Sequence, residues 1–163
     1  MISSQICKLE VPTPEAMHEL GLRVANVLAA GDLVVLTGPL GAGKTTFTRG
    51  VGEGLKAIGN VSSPTFVIAR THKRHNGGPV LVHVDAYRLG NALELDDLDI
   101  DYENSIVLVE WGKGMVNGLT ENWLEIVIER EQAVEHAIDG AESTDPRTVT
   151  VTGFGQRWQG VTI

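Results

Sequence analysis

The apolar positions of this chain follow two periods. Cys7, Leu9 and Val11 alternate with polar residues, which predicts a short, half-buried first strand. TPEAMHELGLRVANVLAAG, from Thr13 to Gly31, switches to helical spacing, with Met17, Leu20, Val24, Val27 and Leu28 on one stripe. Thr13 suits the N-cap, Pro14 the first turn and Glu15 the positive helix end, and Gly31 is the expected stop. LVVLT (33–37) is apolar without a break, the pattern of a parallel strand covered on both faces. Phe47, Val51 and Leu55 then recur every four residues and predict a second helix, which glycines at 50, 52 and 54 weaken.

Beyond that helix, FVIART (66–71) and VLVHVD (80–85) read as strands around the loop HKRHNGG, which reads as a solvated hairpin turn. ALELDDLDI predicts a short acidic helix, IVLVEW (106–111) a buried strand, and WLEIVIER (123–130) a strand with clean alternation. The chain is polar from Glu131 to Asp145, and RTVTVTGF (147–154) predicts a last strand. Continuous apolar strands alternating with helices indicate an α/β fold around a mainly parallel sheet, mixed because the later strands look antiparallel. Residues 1–163 are expected to form one domain, with an irregular polar insertion at about 131–146 and a short tail at about 154–163.

Composition narrows the class. The 42% hydrophobic and 21% charged residues are ordinary for a globular protein. No apolar run approaches the ~20 residues that span a bilayer. The start, MISSQICKLEVPTPE, has acids and a proline where a secretory peptide needs a basic start and an apolar middle, so a cytoplasmic protein with no membrane association is expected. A single cysteine, Cys7, excludes an intramolecular disulfide and reads as a small core residue. The net charge of −8 argues against a protein that grips nucleic acid on its own, because such affinity comes largely from neutralising phosphates.

The strongest chemical signal is GPLGAGKT, from Gly38 to Thr45, which satisfies G-x-x-x-x-G-K-[ST] between a predicted strand and a predicted helix. Gly38, Gly41 and Gly43 let the backbone wrap closely and aim N–H groups at phosphate oxygens. The helix that follows adds its positive end. Lys44 can reach the β- and γ-phosphates, the Thr45 hydroxyl can hold Mg2+, and Thr46 stands ready for a further phosphate contact. The motif predicts a nucleoside triphosphate site with magnesium, on a P-loop NTPase-like three-layer fold.

Such a fold brings a carboxylate to the magnesium from a neighbouring strand, and the ligand lies outside the carboxyl ends of the strands. Two strand ends offer one: Asp85 after VLVHV, and Glu110 after IVLV. Asp85 has a structural alternative, an ion pair with Arg70 or Arg88. His83 alternates to the face of Asp85 and reads as a satisfied core group. In SSPTF (62–66), Thr65 follows the rigid Pro64 and could sense a γ-phosphate as switch threonines do, although a plain turn explains the stretch nearly as well. No Cys, His and Asp residues have zinc-site spacing.

GPLGAGKTTFTRG, SPTF, HVDAYRL and VEW, in this order and spacing, resemble the family of small bacterial ATPases called TsaE or YjeE, which serves tRNA threonylcarbamoyladenosine synthesis. The resemblance runs from about Glu15 to about Arg130. It implies that the loop from Gly38 through Gly41, Ala42 and Gly43 to Thr46 holds ATP. It also implies that Thr45 and Glu110 lie at Mg2+, with Asp85 as a second acid needed for hydrolysis. Trp111 would be a ring close to the nucleotide, and Thr13 and Arg147 fall near positions that approach it. The implied partners are TsaB and TsaD homologues, with tRNA reached only through their complex. The 131–146 segment and the tail depart from the family pattern.

Two other classes stay open on the residues alone. A small-molecule kinase usually adds an arginine-rich lid, and here the arginines are few and scattered. An ATP-gated assembly factor, with hydrolysis incidental, would share every motif above. A GTPase is disfavoured, since no [NT]-K-x-D stretch is present.

Overall fold

A computed structural model of the chain describes residues 3–39, 41–59, 61, 68–89, 92–111, 114, 116, 119–130 and 146–163. The described elements are β1 (Ser3–Val11), α1 (Pro14–Ala25), β2 (Leu33–Thr37), α2 (Lys44–Gly54), β3 (Ala69–His72), β4 (Leu81–Asp85), α3 (Ala92–Asp96), β5 (Ile106–Glu110), β6 (Trp123–Arg130) and β7 (Arg147–Phe154). Seven strands form one sheet in the order β1-β7-β6-β2-β5-β4-β3. The four central strands, β6, β2, β5 and β4, run parallel to one another, while β3 pairs antiparallel with β4, β7 with β6 and β1 with β7 at the flanks. The sheet is therefore mixed around a parallel centre, as the strand patterns imply.

Alternation along the central strands splits the core in two. Val34, Leu36, Ile106, Leu108, Leu124 and Ile126 pack on one side with Met17, Leu20 and Val24 of α1 and Phe47, Val51 and Leu55 of α2. Leu33, Val35, Val82, Val84, Val107 and Val109 pack on the other with Leu89, Leu95 and Val116. Helices thus cover one face, and α3 with its adjoining turns covers the other, giving three layers. Each fully buried aliphatic side chain contributes about 1.5–3 kcal/mol of transfer free energy. No helix among the described residues is long and apolar enough to cross a membrane.

Two expectations need correction. The first helix ends at Ala25, well before Gly31. Its last turn tightens into bonds such as Asn26 N–H to the Arg23 carbonyl (3.2 Å) and Val27 N–H to that of Val24 (3.0 Å). Groups that would extend it are claimed elsewhere: the Arg157 guanidinium donates to the Val27 carbonyl (2.7 Å), and the Ala29 N–H donates to the Asp32 carboxylate (2.8 Å). Gly31 instead uses a φ of 93° to turn the chain into β2.

The glycines of α2 are packing contacts rather than weak points. A Cβ on Gly50 would lie 2.2 Å from the His18 carbonyl oxygen, and one on Gly54 would lie 2.6 Å from the Ala25 Cβ. The two helices approach backbone to backbone there, and only glycine permits it.

The tail from Gly155 to Ile163, unplaced by sequence, is docked. Trp158 is buried in the helix-side core, and Arg157 grips the buried Asp32 through both guanidinium contacts, at 3.1 and 3.0 Å. The HKRHNGG turn is anchored too: the Arg74 Nε donates to the Leu55 carbonyl (2.7 Å), tying it to the end of α2. The polar stretch 131–145 lies outside the described residues.

Candidate active site

Parallel pairing brings the chemistry together. Leu36, next to last in β2, is in register with Glu110 of β5, and Asp85 of β4 is in register with Glu110 on the other side. The loop that follows β2 therefore starts beside both acids, at the carboxyl edge of the sheet. It ends at Gly43, the N-cap of α2, which adopts a left-handed φ of 109° and offers no side chain to the helix. The first-turn N–H groups of α2 are consequently aimed outward with the positive end of the helix dipole. Gly41 also takes a positive φ, 78°.

Gly41, Gly43, Lys44, Thr45, Thr46, Asp85, Tyr87, Glu110 and Trp111 line a cleft of about 610 Å³. The Lys44 ammonium is buried at its base and donates to the carbonyls of Gly38 (2.6 Å) and Pro39 (3.1 Å). It also lies 4.3 Å from the centre of the Trp111 ring, a cation–π distance. Burial pushes the Lys44 pKa below the ordinary lysine value, while the charges of Glu110 and Asp85 pull it partly back.

Glu110 is buried, and its Oε2 lies 2.8 Å from Nε2 of His83, which is itself fully buried. Asp85 accepts the Tyr87 N–H at 3.0 Å and so caps the single 3-10 turn after β4. That turn presents the exposed Tyr87 ring to Trp111, with ring centres 5.5 Å apart and planes tilted by 57°. Trp111 leaves the strand with a left-handed φ of 63°, and its N–H is held by the Leu36 carbonyl at 2.9 Å. This arrangement can cradle a phosphate chain with backbone N–H groups and Lys44, and present two carboxylates opposite it.

Other expected site residues stand around the cleft rather than in its lining. Gly38 packs against Ile128, where a Cβ would meet the Ile128 carbonyl at 3.0 Å, and Ala42 is buried. Arg147, first residue of β7, donates to the carbonyls of Ala42 (3.2 Å) and Gly41 (3.4 Å), bracing the loop from outside. Thr13 caps α1 by accepting the Ala16 N–H at 3.1 Å. Thr65 lies outside the described residues.

A family model described as threonylcarbamoyl adenosine biosynthesis protein TsaE matches residues 11–138. The chain belongs to the TsaE family. It is 56% identical over 145 residues to tRNA threonylcarbamoyladenosine biosynthesis protein TsaE of Streptomyces coelicolor, covering 87% of this chain and 93% of that one. The Bacillus subtilis protein of the same name is 35% identical over 156 residues, with 93% and 89% covered. The crystal structure of Bacillus subtilis YdiB superposes with a TM-score of 0.69 at 31% identity, covering 97% of this chain and 91% of that one.

The TsaE match contains every residue of the cleft lining and stops before Arg147 and the tail. Two residues at the site escape a reading by motif. Tyr87 was legible only as part of HVDAYRL, since nothing in its spacing says that the turn aims it at Trp111. His83 is the buried group its isolation suggests, yet the partner of its Nε2 is the site acid.

Proposed function

We propose that this chain is a magnesium-dependent ATPase that works with TsaB and TsaD homologues in forming tRNA threonylcarbamoyladenosine, meeting tRNA only through that complex. The observation that carries this reading is the convergence of Lys44, Asp85 and Glu110 on one cleft at the mouth of the glycine-rich loop. Family membership and the role for which the relatives are named support the pathway.

The donors fit magnesium. Mg2+ takes oxygen ligands, usually one or two carboxylates completed by substrate phosphates and water. Thr45 and Glu110, with Asp85 beside them, supply a hydroxyl and carboxylates of this kind. Among the described residues no group of three or more His, Cys, Asp and Glu side chains could hold a metal by itself, so the nucleotide would complete the site. When bound, the ion neutralises phosphate charge.

On this reading the loop N–H groups and the α2 N-terminus bind the phosphates, and Lys44 leaves its carbonyl partners to meet the β- and γ-oxygens. Asp85 or Glu110 orients the attacking water. Trp111 and Tyr87 border the cleft. The test is ATP hydrolysis by the purified chain, alone and with TsaB and TsaD from the same source, with tRNA threonylcarbamoylation followed in parallel. Turnover that rises with the partners, and modification that requires this chain, are expected. Absence of both, with phosphorylation of a small acceptor instead, would replace this reading with a kinase.

A further inference from the structure

The acid at the end of β5 does not stand alone. His83, two residues before Asp85 on β4, is completely buried, and Glu110 is nearly so. A carboxylate oxygen only accepts hydrogen bonds, so the 2.8 Å contact requires the ring to present Nε2–H to Oε2. Nδ1 has no hydrogen-bond partner among the described residues, so the ring is committed at one end only. A lone-pair nitrogen is cheaper to leave unpaired in a dry interior than an N–H, which favours the same tautomer.

We propose that His83 is a positioning residue that fixes the Glu110 carboxylate, occupying Oε2 and leaving Oε1 as the oxygen available to the cleft. This rests on the ATPase reading for its consequence in turnover, though not for its geometry. A glutamate has three side-chain torsions, and a strand-end glutamate beside a phosphate site would otherwise sample several. One hydrogen bond from a fully packed ring removes that freedom before substrate arrives. It also supplies a polar partner to a buried acid that would otherwise face an apolar strand surface, Ile106 and Leu108 being its neighbours on the same face.

The test compares His83→Leu, which keeps bulk without a donor, with His83→Gln, whose amide can reach Oε2, and His83→Asn, which is shorter. Losing an outer partner of this kind typically lowers activity by about 10- to 100-fold. In the complete complex, His83→Leu should lower kcat within that range and leave ATP affinity, read from tryptophan fluorescence, essentially unchanged. His83→Gln should recover most of the turnover, and His83→Leu should add little further loss in a Glu110→Gln background. Should His83→Leu fail to fold, the Gln and Asn variants decide: Gln active and Asn impaired is the expected pattern, and equal turnover overturns the proposal.

Imidazole nitrogen NMR separates this claim from the ATPase reading. A His83 Nε2–H signal that moves on Glu110→Gln is expected even if hydrolysis were never observed. An Nδ1–H tautomer, or a signal indifferent to Glu110, contradicts the proposal. So does additive loss in the double variant.

Discussion

Asp85 and Glu110 are register partners at the ends of adjacent parallel strands, and each is committed differently: Asp85 to the Tyr87 N–H, Glu110 to His83. The two roles of Asp85, capping and charge, can be separated. Asp85→Asn keeps an oxygen for the Tyr87 N–H and removes only the charge. It should fold normally and lose turnover. Asp85→Ala should lose turnover and also about 1 kcal/mol of stability, the usual scale of a lost cap. Thermal melts beside turnover assays check this, and a normally active Asp85→Asn would remove the acid from the mechanism.

Lys44 makes a pH test possible. Phosphates bind the protonated lysine, and burial has lowered its pKa. ATP affinity should therefore decline with rising pH earlier than an ordinary lysine would allow. For the fold the sign differs. The charged form is disfavoured in the folded state, so it costs stability below the lowered pKa, and that cost fades as pH rises toward the ordinary value. Titration of ATP binding from neutral to alkaline pH, with Lys44→Ala as the baseline, should show both the decline and its absence.

Trp111 should be the optical reporter of binding. Of the three tryptophans, Trp123 and Trp158 are buried, and Trp111 is half-exposed in the cleft. ATP should change the emission of the wild type and leave Trp111→Phe unresponsive. Because Trp111 has a φ of 63°, replacing it with alanine keeps the backbone strain, whereas glycine relieves it. Trp111→Gly should melt no lower than Trp111→Ala, despite the greater freedom of its unfolded chain, if the strain is as large as the 1–2 kcal/mol, roughly, of a left-handed residue.

Much of this architecture was legible because its causes are local. The unbroken run Ile106–Val109 has the pattern of a strand covered on both faces, and Thr13 followed by Pro14 suits a helix start. GPLGAGKT carries its own backbone requirement. What escaped reading depends on residues far apart in sequence. Gly50 and Gly54 look like helix breakers until α1 lies across them, and Gly31 looks like a helix stop until Arg157 and Asp32 divert the chain earlier. His83 and Glu110 are 27 residues apart, and only the β4–β5 register makes them a pair.

The glycine crossing yields a stability test in which two effects compete. Alanine is the better helix former by about 1 kcal/mol. Overpacking typically costs about 1–3 kcal/mol, and at 2.2 Å from the His18 carbonyl the backbones must separate. Gly50→Ala should therefore lower the melting temperature. An unchanged or higher value would mean that the helices are not in such close approach.

The docked tail offers a parallel check. Trp158→Ala should cost about 3–5 kcal/mol, the range for a buried aromatic. Arg157→Ala should cost less, about 1–3 kcal/mol, because the buried Asp32 loses its cation and keeps the Ala29 N–H. Denaturant unfolding of both variants measures the order; an Arg157→Ala effect larger than that of Trp158→Ala would reverse it.

The central claim is that β5 ends in Glu110 because hydrolysis needs that acid. Single-turnover ATP hydrolysis by Glu110→Ala in the complete complex, with ATP affinity measured on the same sample, tests it most directly. Affinity close to that of the wild type with turnover reduced by about 100-fold or more is the expected result. Turnover at the wild-type rate would contradict it.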